Sequence, residues 1–334
     1  MDRSAPPAEP LLFQRILKEK VWGGRRLAGR LGLELPFEGP LGETWELSDV
    51  QGEETQVRGG RFGGRSLREL MEEHGPALLG ASRPDPSGRF PLLVKLIEAG
   101  DDLSVQIHPP DGPFSPTGVG KTEAWYILDT FPVREGPPSV ICGLREGTDP
   151  EVFRAEAGDS RVRRHLHEVP VAPGDCVFVP AGQTHAIRGG VILAEIQQTS
   201  DVTFRMYDWD RVGLDGRPRE THLEQALRVV DWDLGPGRAV RAPEGGPSPA
   251  SLVQCPYFEL REHRFEEAGR LGAGGYARVL VVVGGSGNLA PGPGGAFEPL
   301  PVAFGDVLLL PATLEGLQAV PDEVPFRLLE GIAL

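Results

Sequence analysis

The chain has 334 residues, with 34 Lys and Arg against 48 Asp and Glu, a formal net charge of −14 at pH 7. That length predicts two domains, or one enlarged domain with a sizeable core. The acidic balance opposes binding to a nucleic-acid backbone or an anionic membrane, and leaves a small-molecule ligand as the expected partner. No apolar run reaches the ~18 residues of a membrane-spanning helix. The stretch Met1–Pro7 lacks the apolar region of a secretory signal, so the expected location is the cytoplasm. Cys142, Cys176 and Cys255 are odd in number and far apart, which fits neither a disulfide framework nor a CxxC zinc site.

The 45 Gly and 33 Pro are spread along the chain, favouring many short strands and tight turns. Residues 1–60 hold short apolar pieces between turn signals. Ser66-Leu67-Arg68-Glu69 is a capping box that opens a helix to about Leu79. Phe90–Ile97 reads as an apolar strand around Lys95, which takes either a structural role or one supporting the site from behind its ligands. Ala124–Leu128 is a second strand, and its Trp125 and Tyr126, like Trp45, read as core. Asp149-Pro150-Glu151 caps a short helix, and residues 161–167 form one further turn. Cys176–Val179 and Val191–Ile196 are short strands bounded by Pro and Gly. Glu220–Val230 is one more amphipathic helix. Residues 234–250, rich in Gly and Pro, read as a linker. Strands then resume at 257–265, 276–283, 307–310 and 326–329, with Gly284–Asn288 as a hairpin turn rather than a phosphate loop. The expected layout is a catalytic domain over 1–233 and a second barrel over 251–334.

An internal repeat supports two similar β modules. Gly174-Asp175-Cys176-Val177-Phe178-Val179-Pro180-Ala181 matches Gly305-Asp306-Val307-Leu308-Leu309-Leu310-Pro311-Ala312 in pattern. The first copy continues to His185, where the second has Gly316. The second module is therefore expected to hold no metal.

Gln106 and His108 lie at i and i+2 on a predicted strand, so they share a face. Glu123 opens the strand that follows, and His185 ends a Pro-x-Gly-x-x-His turn. Two His, one Glu and one Gln form a mixed N/O set suited to zinc, with manganese, iron or cobalt as alternatives. A lone histidine in a β protein is usually a core or surface residue. His74, His165, His167, His222 and His263 lack partners at ligand spacing and take that reading. His165-x-His167 falls in a charged stretch and reads as solvated.

The string Gly174-Asp175 through Pro180-Ala181-Gly182-Gln183-Thr184-His185 resembles the second metal motif of cupin barrels. With Gly42-Glu43-Thr44-Trp45-Glu46, Ser104–Pro109, Gly120-Lys121-Thr122-Glu123-Ala124-Trp125-Tyr126 and Gln198–Arg205, the chain resembles the class I mannose-6-phosphate isomerases of the short bacterial form. The match spans roughly residues 12–232, and Glu123 stands fifteen positions after His108, an insertion shared with these isomerases. The resemblance implies a mainly β fold of two cupin-type barrels and one zinc ion on Gln106, His108, Glu123 and His185. It makes Arg205 the catalytic arginine, and has Ser104 and Lys121 hold the substrate phosphate or line the site. The implied reaction interconverts mannose 6-phosphate and fructose 6-phosphate through an enediol, in a monomer or weak homo-oligomer. The base that moves the proton stays open among Lys121, Glu43 and a zinc-bound water. Two rival readings are a metal-dependent cupin oxygenase and a non-enzymatic sugar-phosphate-binding cupin.

Overall fold

The computed structural model describes residues 5–334 except 247, 273, 293, 294 and 296. The chain is mainly β, as expected, and it separates into two compact units. One comprises the segments through Ile16, Trp45–Val94 and Ala242–Leu334; the other comprises Leu17–Thr44 and Lys95–Arg241. No helix among the described residues is long and apolar enough to cross a membrane.

The first unit carries an eight-stranded sheet. Its main path runs Leu11–Leu12, Val307–Leu310, Arg278–Pro291, Leu317–Ala333, Phe258–Phe265, Ala250–Gln254. Alternate residues Leu280 and Val282, Leu308 and Leu310, and Phe326 and Leu328 fill one core, as a period of two requires. The helix Leu67–Leu79 starts at the expected capping box: Glu69 N donates to Ser66 Oγ at 3.2 Å and Ser66 N donates to Glu69 Oε2 at 2.7 Å. His263 is buried in this unit with Glu330, Nε2 to Oε2 at 2.9 Å, and Arg278 Nη1 donates to the same carboxylate at 3.1 Å.

In the second unit a five-stranded sheet runs Leu166–Pro170, Ser139–Leu144, His185–Ile187, Val105–Ile107, Phe204–Tyr207. It faces a sheet that includes Ala239–Arg241, Asp175–Val179, Glu123–Thr130 and Val191–Gln198. Val140, Cys142 and Ile187 from one sheet and Trp125, Ile127, Val177, Val179, Val191 and Leu193 from the other form a shared core. The opposite face of the five-stranded sheet presents Val105, Ile107, Ile141, Ala186 and Phe204 to Phe153, Ala226 and Val229 of two short helices, Pro150–Glu156 and Leu223–Val229. The two sheets form an open cupin-type sandwich rather than the closed barrel expected. The segment read as a linker contains the strand Ala239–Arg241, paired with Asp175–Val177.

The internal repeat is structural. Gly174 and Gly305 both have positive φ, +92° and +85°. In one copy Ala172 N donates to Asp175 Oδ2 at 2.8 Å, and in the other Ala303 N donates to Asp306 Oδ2 at 2.9 Å. One turn chemistry thus opens both strands.

Candidate functional site

The period of two aims the site residues inward. Ala186, Ile107 and Phe204 belong to the outer core of the five-stranded sheet, so their neighbours His185, Gln106 and Arg205 face into the sandwich. Within the sheet His185 pairs with Gln106, and Gln106 with Arg205. These three side chains therefore stand in one row across adjacent strands. Glu123 and Glu195 come from the opposing sheet, where they share a face with the core residues Trp125 and Leu193.

The Pro-x-Gly-x-x-His turn brings the two histidines together. Gly182 has φ +85°, and its N–H donates to His108 O at 2.9 Å. A Cβ there would lie 2.8 Å from Asp231 Cβ, so the turn requires glycine on two counts. The fifteen-position excursion between His108 and Glu123 is pinned at its base. Lys121 N donates to Pro109 O at 3.1 Å and Gly120 N to Asp111 Oδ1 at 2.6 Å. Its outer part is closed by Gly112 N donating to Gly118 O at 2.9 Å.

Both histidines donate Nδ1–H to a backbone carbonyl at 2.8 Å, His108 to Val202 O and His185 to Gln183 O. A carbonyl can only accept, so each neutral ring directs its Nε2 lone pair into the site. These two atoms lie 3.1 Å apart. Glu123 Oε2 is 3.4 Å from His108 Nε2, and Oε1 is 3.5 Å from His185 Nε2. Four tetrahedral ligands at ~2.0–2.2 Å from zinc would lie ~3.3–3.6 Å from one another. The two carboxylate contacts match such edges, each through a different Glu123 oxygen, the two imidazole nitrogens stand slightly closer, and the ligand atoms of the three groups all lie within 4.8 Å of one another. Neither Glu123 oxygen has a well-directed hydrogen bond, although both are buried; the Lys121 ammonium makes an ion pair with Oε2 at 2.7 Å. Converging lone pairs on a buried carboxylate and two imidazoles repel unless a cation joins them. Lys121 Nζ also donates to His108 Nε2 at 3.0 Å.

Gln106 completes the set. Its Nε2 lies 3.3 Å from His185 Nε2, and Ser104 Oγ donates to its Oε1 at 3.2 Å. Turning the amide by half a rotation would present the oxygen to the histidines and an N–H to the Ser104 hydroxyl, which can also accept.

Burial shapes the charges. It pushes His108 well below the ordinary histidine range, helped by Lys121, and lowers His185 as well. Both rings are therefore held in the neutral form that binds metal. Burial raises Glu123, but the Lys121 ammonium beside it outweighs this and holds the carboxyl below its usual range. Glu195 is pushed up by burial and by Glu123 beside it. Lys95 is buried, yet Glu43, Glu195 and Asp201 hold it above the usual lysine range.

A cavity of about 260 Å³ opens beside the ligand set. Gln106, Ser104, Lys121 and Arg205 line it together with Lys20, Glu43, Lys95, Glu195 and Arg219. Arg205 Nη1 donates to Glu220 O at 2.6 Å, while its buried Nε has no acceptor among the described residues. Lys95, read as structural or as support for the site, lies on the cavity wall. Trp125, read as core, also forms wall: its indole donates to Glu195 Oε1 at 3.4 Å and meets His185 edge-on at 5.5 Å. Glu195 and Arg219 escape the sequence reading, one inside an apolar strand and the other in a turn-rich loop without periodicity. His165, read as solvated, is buried, with Nε2 2.8 Å from Glu156 Oε2.

Fold and site together define a cupin-type protein with a His–Glu–His group able to hold a metal ion beside a charged cavity. Residues 11–115 match the family described as phosphomannose isomerase type I, catalytic domain. The mannose-6-phosphate isomerase ManA of Bacillus subtilis is 35% identical over 311 residues, covering 91% of this chain and 93% of that protein. The mannose-6-phosphate isomerase of Streptococcus mutans is 34% identical over 316 residues, covering 93% and 95%. The crystal structure of the mannose 6-phosphate isomerase from Bacillus subtilis superposes with a TM-score of 0.81 at 28% identity, over 96% of this chain and 99% of that one. The chain belongs to the type I mannose-6-phosphate isomerase family.

Proposed function

We propose that the chain interconverts D-mannose 6-phosphate and D-fructose 6-phosphate, using one zinc ion held by Gln106, His108, Glu123 and His185. The observation that carries this reading is the convergence of two tautomer-locked imidazoles and a buried carboxylate, with ligand atoms within 4.8 Å of one another. When bound, the metal supplies a Lewis acid for the sugar oxygen. The protein's own groups do the rest. Moving a proton between C1 and C2 through an enediol builds negative charge on a carbonyl oxygen. Arg205 stands one strand beyond Gln106 in the same row, and its unpartnered Nε is a donor that stays charged at any working pH. Lys121 and Ser104 border the sugar at the metal end. Lys121 and Glu43 are cavity-wall groups able to move the proton. Glu43 reaches the cavity with Lys20 at 3.4 Å and Lys95 at 3.9 Å. The enzyme acts as a soluble cytoplasmic protein, a monomer or weak homo-oligomer.

The test is a coupled isomerase assay on the purified protein, before and after chelation and after zinc is restored, with metal analysis of each sample. Activity should vanish with the metal and return with zinc. Full activity in metal-free protein would overturn the assignment.

A further inference from the structure

The side chains behind a ligand set fix where its atoms stand. Glu123 belongs to one sheet and His185 to the facing one, and the turn Pro180-Ala181-Gly182 carries the chain across between them. Val179 pairs with Glu123, but Pro180 has no N–H to carry that ladder on. The next two amides of the turn go instead to the segments that bear the other two ligands. Ala181 N donates to Thr122 Oγ1 at 3.2 Å, and Gly182 N donates to His108 O at 2.9 Å. The second acceptor is a main-chain carbonyl that any residue at position 108 would supply. The first exists only because residue 122 carries a hydroxyl.

Thr122 stands between Lys121 and Glu123, both of which face the site. Alternate side chains of an extended chain point to opposite faces, so the Thr122 hydroxyl is turned away from the ligand atoms and toward the turn. Its main chain is gripped by one residue of the neighbouring strand. Thr122 N donates to Gln198 Oε1 at 2.9 Å, and Gln198 N donates to Thr122 O at 3.1 Å. The same Gln198 amide donates Nε2 to Asp111 Oδ1 at 3.0 Å, and that oxygen also accepts from Gly120 N at 2.6 Å. Thr122 and Gln198 are 4% and 5% exposed, so water does not compete for these bonds. Thr122 is thus fixed through its main chain and reaches with its hydroxyl to the turn that ends in His185. Removing the hydroxyl deletes one of the two amide tethers between that turn and the other ligand segments.

We propose that Thr122, held in place by Gln198, is a positioning residue that sets Glu123 and His185 relative to each other, and through them the affinity and geometry with which the site takes its metal. The inference rests on the reading of Glu123 and His185 as metal ligands. It is independent of the substrate.

The experiment measures zinc affinity of the full chain by competition with a chromophoric chelator. Thr122→Val keeps the branched shape and removes the hydroxyl; it should bind zinc roughly 10- to 100-fold more weakly, the usual cost of losing a group behind the ligands. Thr122→Ser keeps the acceptor and should bind zinc nearly as tightly as the parent. Loaded with cobalt(II), whose visible absorption follows its coordination geometry, Thr122→Val should give an altered spectrum and Thr122→Ser the parental one. A purely structural role would lower the melting temperature of the metal-free protein and leave zinc affinity as it was. Gln198→Met, which releases Thr122 from its other side, should weaken zinc binding in the same direction, and it carries the test if Thr122→Val does not fold. Zinc affinity of Thr122→Val within about twofold of the parent, well short of the loss expected here, would overturn the positioning role. So would an unchanged cobalt spectrum in that variant, or a loss in Thr122→Ser as large as in Thr122→Val. A parent that binds no zinc would overturn the ligand set itself, whereas zinc binding that depends on Thr122 in a protein that does not isomerise would sink the isomerase reading and leave this inference standing.

Discussion

Replacing Lys95 with methionine tests the charge order of the cavity wall. The side chain is 3% exposed, and its ammonium lies 3.6 Å from Glu195 Oε2, 3.9 Å from Glu43 Oε2 and 3.5 Å from Asp201 Oδ1. At an effective dielectric constant of ~20 each such pair is worth about 4–5 kcal/mol before desolvation. Asp201 is 54% exposed, so its share is largely screened. Burying the ammonium costs several kcal/mol, which offsets much of the remaining attraction. Deleting one partner of a buried pair nevertheless costs about 3–5 kcal/mol, because Glu43 and Glu195 lose the buried cation they share. At roughly 2 °C per kcal/mol for a chain of this size, Lys95→Met should melt about 6–10 °C lower. Adding Glu195→Gln removes one of the stranded charges and should recover at least half of the loss. Differential scanning calorimetry on all three proteins decides it. A single variant that melts within about 2 °C of the parent would show that Lys95 does not balance these carboxylates.

His108→Ala and His185→Ala should each lose metal and activity together, as read by metal analysis beside the coupled assay; full retention of both would show the ligand set to be misassigned. Arg205→Ala should keep its metal while kcat falls roughly 10²-fold or more, the size of loss seen when a transition-state donor is removed. An effect on KM alone would take Arg205 out of the chemistry. Away from the site, burial pushes the Asp49 carboxyl up to about 6 from 3.8. The native state then holds that proton more tightly than the unfolded chain, so this contribution to stability is complete below pH 3.8 and is lost as pH rises through 6. Asp49→Asn should remove the dependence: its stability relative to the parent should improve by about 2.4 kcal/mol between pH 4 and pH 7, measured by urea unfolding. A constant difference across that range would contradict the assignment.

The parts of the site that announce themselves in the sequence are those made by local backbone chemistry. His185 is readable because the turn before it needs Gly182 at positive φ, and Gln106 and His108 because a strand puts i and i+2 on one face. Ser66 and Glu69 mark their helix by the same local logic. Glu195 and Lys95 stay hidden, since each interrupts an apolar run whose pattern is that of a core strand, and only the facing sheet reveals that the core there is a cavity. Arg219 depends on Asp208, eleven positions away across an irregular loop with no period to read. The strand Ala239–Arg241 sits among Gly and Pro and owes its existence to its pairing with Asp175–Val177, a tertiary effect that composition obscures.

The excursion between His108 and Glu123 has a practical meaning for altering this enzyme. Its base is fastened by Lys121 to Pro109 and by Gly120 to Asp111, and the Asp111 carboxylate also accepts from Gln198 Nε2 at 3.0 Å. Beyond the Gly112–Gly118 closure the chain reaches solvent, with Phe114 52% exposed. The spacing of the two ligands along the sequence is thereby uncoupled from their spacing in the site. Pro113 and Phe114, both exposed, form a splice point where a longer peptide could be grafted, since doubling a flexible loop costs only about 0.6 kcal/mol. A tag or recognition peptide placed there would extend into solvent while the ligand geometry at the base of the excursion stays as it is.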